Sequence, residues 1–142
     1  MTVYVDTSSL VKVFVDEPHG DAVRELITSA AVVFVSVIAY PEARAAIARR
    51  RRERSLTSAQ FHVAKRSFES KWPDLLTIPA TSEICREAGD LAERYELRGF
   101  DGIHLASFAE MLRGLQGRDD AQFSSSDAKL NAAARRLART IR

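Results

Sequence analysis

The chain has 142 residues, 46% of them apolar, and 21 Lys and Arg against 19 Asp and Glu give a formal charge of +2. That length suits a single domain over residues 1–142 with a core of its own, and the apolar fraction excludes a disordered chain. No apolar run reaches membrane-spanning length, the N-terminus lacks the charged stretch and apolar core of a secretory leader, and the single cysteine, Cys85, excludes an internal disulfide. A cytoplasmic protein without membrane contact is expected, with Cys85 as a small core residue.

The first apolar run, residues 3–5, ends at Asp6. Thr7, Ser8 and Ser9 follow, then Leu10 and Val11. Asp, Ser and Thr all cap helices; with Thr7 and Ser8 available for that task, Asp6 is free for another. Val23, Leu26, Ile27 and Ala30 share one helical face, and residues 32–35 form a second apolar run. From Ser36 a helix is expected, with Glu42 one to two turns into it. The neighbours of Glu42 at helical spacing are Ile38, Ala39, Ala45 and Ala46, none able to pair with a solvated carboxylate. Pro41 removes a backbone donor and is expected to kink the helix. That helix runs into a basic block, Arg49, Arg50, Arg51, Arg52 and Arg54. Such a block is either a solvated helix end, favoured by the helix dipole, or a surface for nucleic-acid phosphates or an acidic protein segment.

Phe61, Ala64, Phe68 and Trp72 make the next stripe, and residues 75–78 a third strand. Ile84, Ala88, Leu91, Ala92 and Tyr95 give the clearest helical face of the chain. Asp101 follows Gly99 and Phe100 and opens a helix carrying Leu105, Phe108, Ala109 and Leu112. His104 lies on the face of Asp101 and suits a hydrogen-bonded core histidine better than a metal ligand. Residues 114–120 read as a surface loop. The weak run 122–126 is the fourth strand, and Asp127 begins a last helix with Leu130, Ala133, Ala134, Leu137 and Ile141 on one face. A second basic group, Arg135, Arg136, Arg139 and Arg142, lies on that helix and beyond it.

Apolar strands separated by helices imply an α/β fold, a three-layer α/β/α sandwich around a mostly parallel sheet of about four strands buried on both faces. Ligands of such folds bind beyond the carboxyl ends of the strands. Asp6, Asp101 and Asp127 converge on that edge, with Glu42 close by. Carboxylates crowded together resist joint ionisation, and a hard divalent cation removes the conflict. His19 and His62 fit no metal spacing, there is no zinc pattern and no phosphate-binding glycine loop, and no Ser or Cys has a convincing base. Oxygen-ligand metal chemistry is what remains.

The stretch Tyr4-Val5-Asp6-Thr7-Ser8-Ser9-Leu10-Val11-Lys12 resembles the opening of PIN-domain ribonucleases, most closely the VapC toxins of prokaryotic toxin–antitoxin pairs. Ser36-Val37-Ile38-Ala39-Tyr40-Pro41-Glu42-Ala43-Arg44-Ala45-Ala46 is similar to the second acidic motif of that family, and Asp101-Gly102-Ile103-His104-Leu105-Ala106 to the third. Asp127 before an alanine-rich helix resembles the fourth. The likeness runs nearly end to end, with one departure. The strand before Asp127 is more polar than is usual, and Ser125 stands in place of a threonine. A final edge strand found in many relatives is also not evident.

The resemblance implies a PIN-like fold and a metal-dependent endoribonuclease toxin that hydrolyses RNA phosphodiester bonds. Asp6, Glu42, Asp101 and Asp127 would be its catalytic and metal-binding carboxylates for Mg2+ or Mn2+, Asp6 and Asp101 most directly. Thr7, Ser8 and Ser125 would orient them, and Arg49 and Arg50 would contact RNA. The metal would activate water for in-line attack and stabilise the leaving 3′ oxygen. The resemblance further implies a homodimer and a VapB-type antitoxin whose C-terminal segment enters the active-site groove, formed in part by Leu10, Val13 and Phe14. The competing reading is a non-catalytic PIN-like module that binds RNA or protein. A receiver-like phosphoacceptor is disfavoured, because Asp6 has no acidic neighbour and Lys129 follows an acid on a helix.

Overall fold

The computed structural model describes residues 1–118 and 120–141. Four strands, β1 (Thr2–Val5), β2 (Val32–Ser36), β3 (Leu76–Ile78) and β4 (Ala121–Ser124), form one sheet in the order β3-β2-β1-β4, and every pairing is parallel. The helices are α1 (Thr7–Val11), α2 (Gly20–Ser29), α3 (Ala39–Arg52), α4 (Ser58–Lys71), α5 (Ser82–Tyr95), α6 (Gly99–Leu115) and α7 (Ala128–Ala138). A 3-10 turn, Trp72–Asp74, leads into β3.

Side-chain alternation along β1 sorts the core onto two faces. Val3 and Val5 join Val33 and Val35 in one buried cluster with α1 to α4, centred on Leu10, Ala39, Ala43, Ile47 and Phe68. Tyr4 points to the other face, among Leu91, Leu105, Phe108 and Leu130 of α5 to α7. The sandwich is therefore three-layered, as expected from the strand–helix alternation. The sheet is not buried throughout. β3 is an edge strand, and Leu76 is 50% exposed, because nothing pairs beyond it among the described residues.

Local chemistry sets the helix ends. Thr57 and Gln60 form a reciprocal capping box at α4, and Thr81 caps α5 by accepting from the Ile84 N–H. Pro41 is the third residue of α3, where its missing N–H would have had no helical partner, so no kink is required. The expected loop over 114–120 begins later than the glycine suggested. α6 continues to Leu115, and the chain then turns through Gln116 and Gly117 with φ of 52° and 72°. Asp119 of that loop, and Arg142 of the second basic group, lie outside the described residues.

The two helices behind the site approach very closely. A Cβ on Gly102 of α6 would stand 2.5 Å from the Ala88 carbonyl oxygen of α5, so glycine is required there. The α5 stripe itself buries Ile84, Ala88, Leu91 and Tyr95. Cys85 lies one position off that stripe, about 100° round the helix, and is exposed rather than in the core.

Candidate active site

All four strands run the same way, so their carboxyl ends share one edge. The chain passes from β1 to β2 on one side, while β4 pairs on the other, and such a reversal opens a crevice at the end of β1. Asp6 occupies that position. Its backbone N–H donates to Ser124 O at the end of β4 at 3.0 Å.

Asp6 is 5% exposed and caps α1 itself, accepting from the Ser9 N–H at 3.0 Å. The expectation that Thr7 and Ser8 would cap in its place is corrected, since both hydroxyls are used elsewhere. Ser8 Oγ donates to Asp6 Oδ1 at 2.7 Å, and Ser125 Oγ donates to Oδ2 at 2.5 Å. Thr7 Oγ1 donates to Glu42 Oε1 at 2.5 Å. Burial pushes the Asp6 carboxyl above its ordinary value, against the hydrogen bonds from Ser125, Ser9 and Ser8 that favour the ionised form. Among the described residues no Lys or Arg pairs with it.

Glu42 lies in the first turn of α3, nearer the helix start than expected. Its alanine-rich neighbourhood supplies no partner, and the partner comes from another layer. His104 of α6 is 2% exposed, with Nε2 2.9 Å from Glu42 Oε1 and Nδ1 2.9 Å from the hydroxyl of Tyr4. Desolvation of the wholly buried Tyr4 holds its phenol protonated. With Tyr4 donating to Nδ1, the imidazole carries its hydrogen on Nε2 and donates it to Glu42. Burial would raise the Glu42 carboxyl, but the His104 and Thr7 hydrogen bonds outweigh it and hold the group below its ordinary value. His104 is thus the hydrogen-bonded core histidine expected from its position. Its link to Glu42 spans 62 residues of sequence, so no local pattern could reveal it.

Asp101 is not the cap of α6. Arg98 holds that position and pairs with the Asp101 carboxylate three residues on, at 3.2 Å. Asp6, Glu42 and Asp101 line one cleft of about 850 Å³, whose other walls include Lys12, Arg49 and Arg50. Arg50 is committed to a close ion pair with Glu17, while Arg49 makes only a 3.7 Å contact with Glu53. The structure therefore brings three of the four predicted carboxylates to one cavity with both predicted arginines.

Asp127 does not line that cavity. It is exposed, and its Oδ1 accepts from the Lys129 and Leu130 N–H groups at the start of α7. Its own N–H donates to Ser125 Oγ at 3.0 Å, which joins its backbone to the hydroxyl on Asp6. The polar character of the end of β4 and of the residues after it has its reason here. The Ser124 and Ser9 hydroxyls are 2.8 Å apart, Ser125 holds Asp6, and Asn131 closes a reciprocal pair with the Ser125 backbone. Leu10, expected in a partner groove, is 1% exposed and belongs to the core, whereas Val13 and Phe14 are partly buried against it.

Among the described residues no three His, Cys, Asp or Glu side chains gather tightly enough to hold a metal ion. The donor chemistry nevertheless fits one. The cleft offers carboxylate and hydroxyl oxygen and no thiolate, and Asp6 is a buried carboxylate held by neutral donors alone, a setting that a hard cation would relieve.

The PIN domain family pattern matches residues 3–111. Ribonucleases VapC45 and VapC49 of Mycobacterium tuberculosis (strains CDC 1551 / Oshkosh and ATCC 25618 / H37Rv) are each 35% identical over 105 residues, covering 74% of this chain and 73% of theirs. The crystal structure of M. tuberculosis VapC20, described as a sarcin-ricin loop cleaving toxin, superimposes with a TM-score of 0.66 at 15% identity, over 92% of this chain and 94% of that one. FitAcB from Neisseria gonorrhoeae gives 0.66 at 16% identity, over 94% and 93%. At such identities these two structures speak for the fold.

Proposed function

The chain belongs to the PIN-domain family, and from that premise we propose that it is a metal-dependent endoribonuclease toxin of the VapC kind, held in check by a protein antitoxin. The observation that carries this reading is the joint lining of one cleft by Asp6, Glu42, Asp101, Lys12, Arg49 and Arg50 at the switch point of a parallel sheet. Acids and bases on one cavity suit a phosphodiester, whose backbone needs cations and whose reaction needs oxygen ligands.

Asp6, Glu42 and Asp101 are the residues that would hold Mg2+ or Mn2+, which when bound supplies Lewis acidity toward the phosphate and its attacking water. The chain's own groups do the positioning. Ser8 and Ser125 fix both oxygens of Asp6, and Thr7 and His104 fix Glu42. Arg49, with its weak ion pair, and Lys12 bind backbone phosphate, and Arg50 joins them when it exchanges Glu17 for the substrate. Asp127 enters the proposal through its backbone N–H, which donates to the Ser125 hydroxyl that holds Asp6. For its carboxylate to take part directly, it must release the α7 N–H groups. A homodimer and an antitoxin segment over the cleft complete the reading, by similarity to proteins named VapC.

The test is cleavage of total cellular RNA with Mg2+ or Mn2+ against the same reaction in chelator. Cleavage should require the metal, and Asp6→Asn and Asp101→Asn should each lower it by about a hundredfold or more. Unchanged cleavage by either variant sinks the assignment. Calorimetric titration with Mn2+ separates an enzyme from a non-catalytic binding module, which would take up no metal.

A further inference from the structure

Beside the acidic cleft lies a second cavity of about 550 Å³ that shares Glu42, Arg98 and Asp101 with it. Its remaining lining is chiefly apolar, from Ala88, Gly89, Phe100 and Ile103. Phe100 is 64% exposed and is the aromatic member of the four large apolar side chains that are exposed among the described residues. Single exposed apolar residues are ordinary. This one sits next in sequence to a cleft carboxylate and forms a wall of a cavity continuous with the cleft.

Gly89 gives an independent observation. It lies in the interior of α5, where glycine weakens a helix relative to alanine. Gly102, on the facing helix, is explained by its 2.5 Å approach to the Ala88 carbonyl. Gly89 has no such reason, since a Cβ there meets nothing within 4 Å. What the missing side chain does is leave the wall of this cavity flat and open.

Resting on the ribonuclease reading, we propose that this cavity receives an unpaired nucleobase of the RNA, next to the phosphate held in the acidic cleft and stacked on Phe100. A strand that lays a phosphate against Asp6, Glu42 and Asp101 carries its adjoining base within a few ångströms, and the apolar cavity begins at Glu42 and Asp101 themselves. Every base has a π-face, so an aromatic ring on a flat wall is a stacking platform, and sequence preference at the cut follows from which base fits. An aliphatic side chain of a protein partner is the other class of occupant. It needs neither an aromatic ring at position 100 nor continuity with the carboxylates.

The test begins with total cellular RNA digested by the wild-type chain, its new 5′ ends mapped against the Asp6→Asn variant as blank. An RNA spanning one mapped site is then made with and without a base on either side of the cut. Phe100→Ala and Phe100→Leu should each lower kcat/KM by roughly tenfold, Phe100→Trp should retain it, and Gly89→Leu, which fills the cavity from its other wall, should match the loss. Removing the base on one side should lower wild-type cleavage to the same extent and leave Phe100→Ala unaffected. Equal kcat/KM for wild type and Phe100→Ala, or an equal loss of cleavage on base removal in both, overturns the proposal. Full activity in Phe100→Leu overturns it in favour of an apolar contact. If wild type gives no ends beyond the blank, the ribonuclease reading itself has failed, and the proposal falls with it.

Discussion

Asp6 and Glu42 face the same cleft, yet their surroundings shift them in opposite senses. Burial raises the Asp6 carboxyl above its ordinary 3.8, so ionising it costs folding stability as pH rises through its folded value. Glu42 is lowered from 4.5, because its hydrogen bonds to His104 and Thr7 outweigh desolvation. Its contribution is present above 4.5 and is lost as pH falls through its lower folded value. In chelator, Asp6→Asn should therefore raise the melting temperature at pH 7, with the gain fading as pH drops below 3.8. Glu42→Gln should lower it at pH 7, with the loss fading once pH passes below the folded value of Glu42. Thermal scans from pH 3 to 7 read both, and a stabilising Glu42→Gln at neutral pH contradicts the role given to His104. A carboxylate kept at a cost to stability is common where function needs it.

At the scale of elements, the α5–α6 contact positions half the site. α6 carries Asp101 and His104 toward α3 and β1, and it can do so because Gly102 lets its backbone meet that of α5. Gly102→Ala is expected to destabilise by about 1–3 kcal/mol, the usual cost of overpacking, although alanine favours a helix. Gly89→Ala, at an exposed position of α5 where a Cβ meets nothing within 4 Å, should stabilise by up to about 1 kcal/mol. Denaturant midpoints of the two variants should thus move in opposite directions. β4 teaches a related lesson. The run Ser124-Ser125-Ser126 looks too polar for a strand end, but β4 pairs with β1 over four residues, and the Ser124 and Ser125 hydroxyls fix Ser9 and Asp6 at the start of α1.

At the scale of the molecule, the carboxylates are placed in one cleft and held by protein partners, so binding of a cation should register in the whole fold. A ligand that binds only the native state stabilises it by mass action, by about 2.7 kcal/mol at a hundred times its Kd. Mn2+ should raise the melting temperature of the wild-type chain and leave that of Asp6→Asn unchanged. Arg98 competes for Asp101 with an 86% exposed side chain, and such exposed pairs are worth about 0.2–1 kcal/mol. Arg98→Ala should accordingly tighten Mn2+ by a few-fold, read by calorimetry. Weaker binding in that variant would mean that Arg98 supports the site rather than competes within it.

Periodicity and short-range pattern are local, and they carried the strand–helix alternation, the parallel sheet, the buried stripes of α5 and α7, and Asp6 at the end of β1. Asp6, Glu42 and Asp101 stand out because each carboxylate adjoins apolar residues, and the family match over residues 3–111 includes all three. Only the folded chain decided which groups face each other. It joined His104 to Glu42, Ser125 to Asp6 and Arg50 to Glu17, left Asp127 on the cap of α7, exposed Cys85 and buried Leu10. These outcomes depend on contacts between residues far apart in sequence, and on rotations of a single residue about a helix axis. Propensity and spacing leave both undetermined, and packing against the other layer fixes them.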